Sequence, residues 1–319
     1  MRLLPFLTAL FVASAALADD QTVTDDAGRS VTVPEHPQRI VVMHEPLLGL
    51  PLIDLGVNLT GSYGRNDDGS FSTKLDFIDV VFGKGVEKPK GIGPFGQIDL
   101  ERLRALDPDL IIGSELDIDS VDQLSTVAPT YLQNVSTGKT RGIDIERDLA
   151  KLVGREDAFD DRMKTYRARL ESVRNSLSES LEGKTYLAIF LTDQINAVGE
   201  MSGAVQALED LGYKRLALDE QGNGSGMGST LIVPLSTEAL GRLEPDLLVV
   251  MNSYMSDNRE EAGSRQALDK ILPGWENFLK PAREGQVLFL DSAKVTSPTV
   301  ASALHTLDAF EKWSKTSSQ

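Results

Sequence analysis

Residues 98–112 recur without a gap 137 positions later, as residues 235–249. In each copy a capping residue, Asp99 or Ser236, opens a short helix. A turn closes it at Asp107-Pro108 or Glu244-Pro245, and an apolar strand follows. Glu101 falls on Glu238, Leu103 on Leu240, Leu106 on Leu243, and Asp109-Leu110 on Asp246-Leu247. Between the copies, Phe159, Met163, Tyr166, Leu170, Val173, Leu177 and Leu181 recur in steps of four and three. That spacing predicts one amphipathic helix over about 156–181, with no proline inside and Gly183 where a C′ glycine belongs. At 1.5 Å per residue it is about 40 Å long, enough to reach across a domain. Two like units flanking one long helix imply two similar lobes joined by it. The expected division is 19–143 for the first lobe, 144–183 for the link and 184–319 for the second. A shorter helix with Ile145, Leu149 and Leu152 precedes the long one and ends at Gly154.

The rest of the chain fits this plan. Thr22, Val23, Val31 and Val33 flank an Asp-Ala-Gly-Arg turn and predict a small hairpin. Short continuous apolar runs at 40–43 and 110–112 predict strands buried on both faces, and 59–62 makes a further short strand. The second lobe offers similar runs at 187–191, 196–198, 247–249 and 286–291, with helices at 202–211 and 299–313. Strands alternating with helices make the fold class α/β, with a mostly parallel sheet in each lobe and a ligand cleft between the lobes.

The first residues, MRLLPFLTALFVASAALADD, read as a cleavable signal peptide over 1–18. Arg2 supplies the positive end, and Ala16-Leu17-Ala18 is a small-x-small cleavage site. The apolar run between them is too short to span a bilayer. The chain has no cysteine, which excludes disulfides, thiolate metal sites, cysteine nucleophiles and a lipid on an N-terminal cysteine. An exported chain without such an anchor points to a periplasm. A formal net charge of −16 argues against nucleic acid and anionic membrane surfaces as partners.

Several motifs fail on context. Gly91-Ile92-Gly93-Pro94-Phe95-Gly96 spells G-x-G-x-x-G, but the residues before it make a poor strand and Pro94 interrupts it. The glycine-rich run 222–228 lacks the Lys-Ser/Thr of a phosphate loop. His44-Glu45 is not H-E-x-x-H, since residue 48 is leucine, and His36 and His305 sit on other elements, so no metal-ligand set is expected. No nucleophile elbow or acid–base pair stands out, and no catalytic residue is expected. Strand ends are the better guide, because ligands of open α/β sheets sit beyond the carboxyl ends. Those ends carry His44, Glu45, Tyr63, Arg65, Ser114 and Glu115 in the first lobe. In the second they carry Thr192, Asp193, Asn252, Ser253 and Tyr254, and Phe95 and Met227 occupy loops that can reach the same cleft. Arg65 is the foremost candidate, because a guanidinium can fork onto anionic oxygens.

With these segments in view, the chain resembles the periplasmic binding proteins of iron–siderophore, haem and cobalamin ABC importers. VTDDAGRSVTVPEHPQRIVVM looks like the first hairpin and strand of that family. IDLERLRALDPDLIIG and LSTEALGRLEPDLLVV look like its helix–strand units in the two lobes. The resemblance implies two Rossmann-like lobes on one rigid helix, small closure, and a monomer that binds and docks without chemistry or a covalent cofactor. It implies that Glu101 and Glu238 dock onto arginines of an inner-membrane permease. Many ferric-siderophore binders carry an arginine in the glycine-rich segment, and Gly93-Pro94-Phe95-Gly96-Gln97 has none. Either Arg65 compensates or the cargo carries less negative charge. The expected function is capture of a ferric siderophore. The alternatives are haem, with His44, Tyr63 or Tyr254 as ligand, cobalamin, or an exported enzyme with its site in the cleft.

Overall fold

Valine and threonine alternate about a tight turn to give the expected hairpin, β1 (Asp20–Thr24) and β2 (Ser30–Pro34). At the turn, Gly28 takes a positive φ of 80° and its N–H donates to the Asp25 carbonyl. Five further segments form one parallel sheet: β3 (Ile40–Val42), β4 (Gly61–Ser62), β5 (Lys90–Gly91), β6 (Leu110–Ser114) and β7 (Thr130–Gln133). Their order is β5-β4-β3-β6-β7. The computed structural model describes residues 20–317 apart from 67, 74, 95–96, 137–139, 141, 200–201 and 217–231. The expected signal peptide therefore lies outside the described residues.

The second lobe builds a six-stranded sheet from β8 (Thr185–Leu191), β9 (Ile195–Val198), β10 (Lys214–Arg215), β11 (Ile232–Pro234), β12 (Leu247–Asn252) and β13 (Val287–Leu290). β10, β12 and β13 run parallel to their neighbours, whereas β9 is antiparallel to both β8 and β11. Only Thr192–Gln194 separate β8 from β9, too few residues for a crossover helix, so that pair must turn back as a hairpin.

The repeat has a physical reason. Its two helices, Leu100–Ala105 and Thr237–Arg242, are capped as expected: Asp99 accepts from the N–H groups of Glu101 and Arg102, and Ser236 from that of Ala239. The aspartate after each proline fastens the entry to the lobe's first central strand. Asp109 accepts from the N–H groups of Gln38 and Arg39 at 2.9 Å, just ahead of β3. Asp246 accepts from Thr185 N–H at 2.8 Å and its hydroxyl at 3.0 Å, at the start of β8. These bonds from Thr185 hold Asp246 below its ordinary pKa.

The long helix spans Glu156–Ser176, about 32 Å, and stops five residues before the expected end. Leu177 turns extended, with ψ at 142°. Asn175, Ser176, Ser178 and Ser180 crowd this end, and such side chains compete for backbone groups; the Ser176 hydroxyl donates to the Val173 carbonyl. Leu177 and Leu181 still join the core, from a loop that turns at Gly183. Phe159, Tyr166 and Val173 form the buried stripe, and the Tyr166 hydroxyl donates to Asp210 at 2.7 Å.

The closing helix, Val300–Ser317, ties both lobes together. Arg169 of the long helix reaches its Asp308 and Glu311, each at 2.7 Å. Its first N–H groups meet two buried carboxylates: Val300 donates to Glu146 at 2.7 Å and Ala301 to Asp54 at 2.8 Å. Arg162 pairs with Asp54 at 2.5 Å. The helix N-terminus favours negative charge there. Burial nevertheless pushes Glu146 well above its ordinary value, with the nearby Asp54 charge adding to the rise, and burial raises Asp54 as well. A carboxyl whose pKa is higher folded than unfolded binds extra protons when folded, so its contribution to stability is lost as pH rises through the folded pKa. Glu146→Gln keeps an acceptor for Val300 and removes the charge. It is expected to flatten the fall of Tm between pH 5 and pH 8, as checked by calorimetric melts of parent and variant.

Candidate functional site

The carboxyl ends of β3 and β6 lie side by side where the strand order of the first sheet reverses, the place at which such sheets open onto ligands. β3 runs into His44, whose Nδ1 accepts from Leu47 N–H at 3.2 Å and caps the turn beginning at Glu45. Burial lowers the His44 pKa to about 4, so the ring is neutral at neutral pH. His44 therefore serves the helix start.

Glu45 and Arg65 meet, but not as a ligand fork. Arg65 Nε and Nη2 donate to the two Glu45 oxygens, both at 2.6 Å. Nη1 donates to the Gly69 carbonyl at 2.7 Å, and Nη1 and Nη2 donate to Asp76 at 2.9 and 3.2 Å. All five N–H donors of the guanidinium are thus placed. Both Arg65 and Glu45 side chains are fully buried. Burial pushes Glu45 above its ordinary value, and Arg65 pulls against that rise. Burial also opposes ionisation of Asp76, but Arg65 and Lys88 outweigh it and hold Asp76 low. The guanidinium lies 5.5 Å from the Phe71 ring centre. The guanidinium expected to lie open to anionic oxygens is instead held by Glu45 and Asp76, as a buried guanidinium must be answered by carboxylates.

The glycine-rich segment is structural too. A Cβ on Gly91 would stand 2.3 Å from the Asn66 carbonyl oxygen, and Gly93 takes a φ of 115°. Gly91 lets the backbone pass beneath the Arg65–Asn66 loop, and Gly93 lets it pass close to Gln97. An open hollow of about 920 Å³ flanks this network, lined by Phe71, Ser72, Thr73, Asp76, Lys88 and Lys90 among others.

Tyr63 is half-buried against the cluster of Val41, Met43 and Ile111. In the second lobe, Asn252 is tied within its own loop: its Nδ2 donates to the Asn258 carbonyl at 2.8 Å and Ser256 Oγ at 3.1 Å, and its Oδ1 accepts from Ser253 N–H. Asn252 thus orders the loop that presents Tyr254. Tyr254 meets Phe77 of the first lobe at 5.6 Å and Phe190 of the second at 5.7 Å, edge-on and tilted. Phe71 extends the chain from Phe77 at 5.8 Å. Four rings thus form a chain of contacts between the two lobes. Phe95 and Met227 lie outside the described residues.

Sequence reasoning named Tyr254 but missed its exposed apolar companions Leu116, Ile118 and Met255. Leu116 and Ile118, just beyond β6, are 51% and 46% exposed. Tyr254 and Met255, just beyond β12, are 39% and 60% exposed. The 137-residue offset sets Ile118 on Met255, a signal that was available. Glu115 turns inward, accepting from the N–H groups of Val135 at 2.9 Å and Ser136 at 2.7 Å. Glu101 and Glu238 stand exposed in the first turns of their helices, and Arg242 pairs with Glu238. Among the described residues, no group of three or more His, Cys, Asp or Glu is arranged to hold a metal ion.

Residues 71–294 match the model of a family described as periplasmic binding protein. YhfQ of Bacillus subtilis, by name an ABC transporter substrate-binding lipoprotein, is 29% identical over 276 residues, covering 85% of this chain and 81% of its own. The petrobactin-binding protein YclQ of the same organism is 25% identical over 244 residues, covering 71% of this chain and 73% of its own. The crystal structure of Staphylococcus aureus SirA complexed with staphyloferrin B superposes with a TM-score of 0.69 at 21% identity, over 92% of this chain and 98% of that one. The two-lobed α/β fold and the family match over most of the chain lead to one conclusion: this chain belongs to the periplasmic binding protein family.

Proposed function

We propose that this protein captures a ferric siderophore between its lobes and delivers it to the permease of an ABC importer. The carrying observation is the exposed apolar surface beyond the strand ends, Leu116 and Ile118 after β6 and Tyr254 and Met255 after β12, with Tyr254 meeting Phe77 of the other lobe. Such a mixed apolar and polar rim suits a bulky chelate. Petrobactin and staphyloferrin B, which the two relatives' names carry, are both siderophores. The protein is a binder, and no acid–base pair with a nucleophile is assembled among the described cleft residues. Residues 19–143 and 184–319 act as the lobes, with 144–183 as the link. Small closure is favoured because the closing helix and the Phe77–Tyr254 contact already join the lobes. Glu101 and Glu238 dock onto permease arginines, one per lobe. The chain works as a periplasmic monomer after cleavage near Ala18, and no helix among the described residues is long and apolar enough to cross a membrane. Nothing favours haem: His44 is held at its helix start, and Tyr254 packs edge-on against Phe77 and tilted against Phe190.

Calorimetric titration of residues 19–319 with ferric siderophores, haem and cobalamin tests this reading. Submicromolar binding of one ferric siderophore, with the iron-free form weaker, is expected. Tight binding of haem or cobalamin alone, or silence across the panel, overturns the ferric cargo.

A further inference from the structure

Building on the ferric-siderophore reading, we infer that the cleft selects ferric complexes of little or no net negative charge, of the hydroxamate kind, over highly anionic catecholates and carboxylates. Arg65 carries the charge that an anionic chelate needs, and all five of its N–H donors go to Glu45, Asp76 and Gly69. Lys88 pairs with Asp76 at 3.0 Å and Asp79 at 2.8 Å. Arg259, beyond β12, pairs with Asp291 at 2.9 Å and donates to the Ser256 carbonyl. Among the described residues each of these is answered from inside the protein, whereas Lys90, at the hollow beside Asp76, and Lys294, beyond β13, are exposed.

Carboxylates occupy the same ends. Asp119, Asp193 and Asp257 are exposed there, and Asp117 is half-buried. A trianionic chelate would approach these groups, and like-charge juxtaposition costs several kcal/mol. The net charge of −16 adds a long-range repulsion. What the rim does offer is apolar surface: Leu116 and Ile118 from one lobe, Tyr254 and Met255 from the other. A neutral complex with methylene arms gains from covering that surface and loses little on leaving water.

The test is calorimetry on residues 19–319 with four ferric complexes at low and high salt. Ferrichrome, which is neutral, and ferrioxamine B, a monocation, carry no net negative charge; ferric enterobactin and ferric staphyloferrin B are anions. One hydroxamate is expected to bind roughly 100-fold more tightly than either anionic complex, and the gap should narrow at high salt. An anionic complex binding tightest, or silence from both hydroxamates, overturns the proposal while leaving the cargo ferric if either anionic complex binds. Silence from all four with tight haem binding overturns the ferric reading beneath it.

Discussion

Arg65→Leu is expected to destabilise the protein by about 3–5 kcal/mol, the range for breaking a buried ion pair from one side. The variant leaves Glu45 fully buried without its fork and removes two hydrogen bonds to Asp76. The pH dependence carries the diagnosis. Without the guanidinium, the folded pKa of Glu45 rises further above its ordinary value, so the folded variant takes up a proton that the unfolded chain releases. Its stability then falls as pH rises through that folded pKa. Urea denaturation should show a small deficit relative to the parent at pH 5 and a large one at pH 8. A variant as stable as the parent at pH 8, with ligand affinity lost, would assign Arg65 to the ligand.

The second large effect is expected in transport. Glu101→Ala with Glu238→Ala should lower uptake of the ferric complex by about tenfold or more, with Kd for the ligand within about twofold of the parent. Both side chains are exposed, so the fold should survive. The two sites differ in detail. Glu238 is shared with Arg242 one turn on, and such a surface pair is worth only about 0.3–0.5 kcal/mol, so a permease arginine can displace it readily. Uptake assays in cells lacking the parent gene, beside calorimetry on the purified variant, separate docking from binding. Unchanged uptake would remove the glutamates from the docking surface.

Local chemistry explains what could be read from the sequence. The runs at 40–42, 110–114, 185–191 and 247–252 are strands because continuous apolar residues suit a sheet covered on both faces. Asp99 and Ser236 cap their helices through bonds that reach only two or three residues. The site was less legible because its partners are distant in sequence. Glu45 lies 20 residues from Arg65, and Asp76 lies 11 away on the other side. Read singly, Arg65 at a strand end looks like a ligand fork; only the fold brings both carboxylates onto it. The end of the long helix was misplaced because Leu177 and Leu181 keep the helical spacing while the serines between them break the helix. The ring contact of Phe77 with Tyr254 spans the two lobes and leaves no periodic trace.

The buried carboxylates at the start of the closing helix also bear on the order of folding. Glu146 reaches its backbone partner across 154 residues, and Asp54 across 247. A chain synthesised from its N-terminus therefore cannot bury these two acids with their partners until the last helix has emerged, because burying them unpartnered would cost their hydration. The first lobe cannot finish folding as a co-translational unit, because its final contacts belong to the last helix to leave the ribosome. Such a chain stays loose until synthesis ends, which suits any route that must thread it unfolded through a narrow pore.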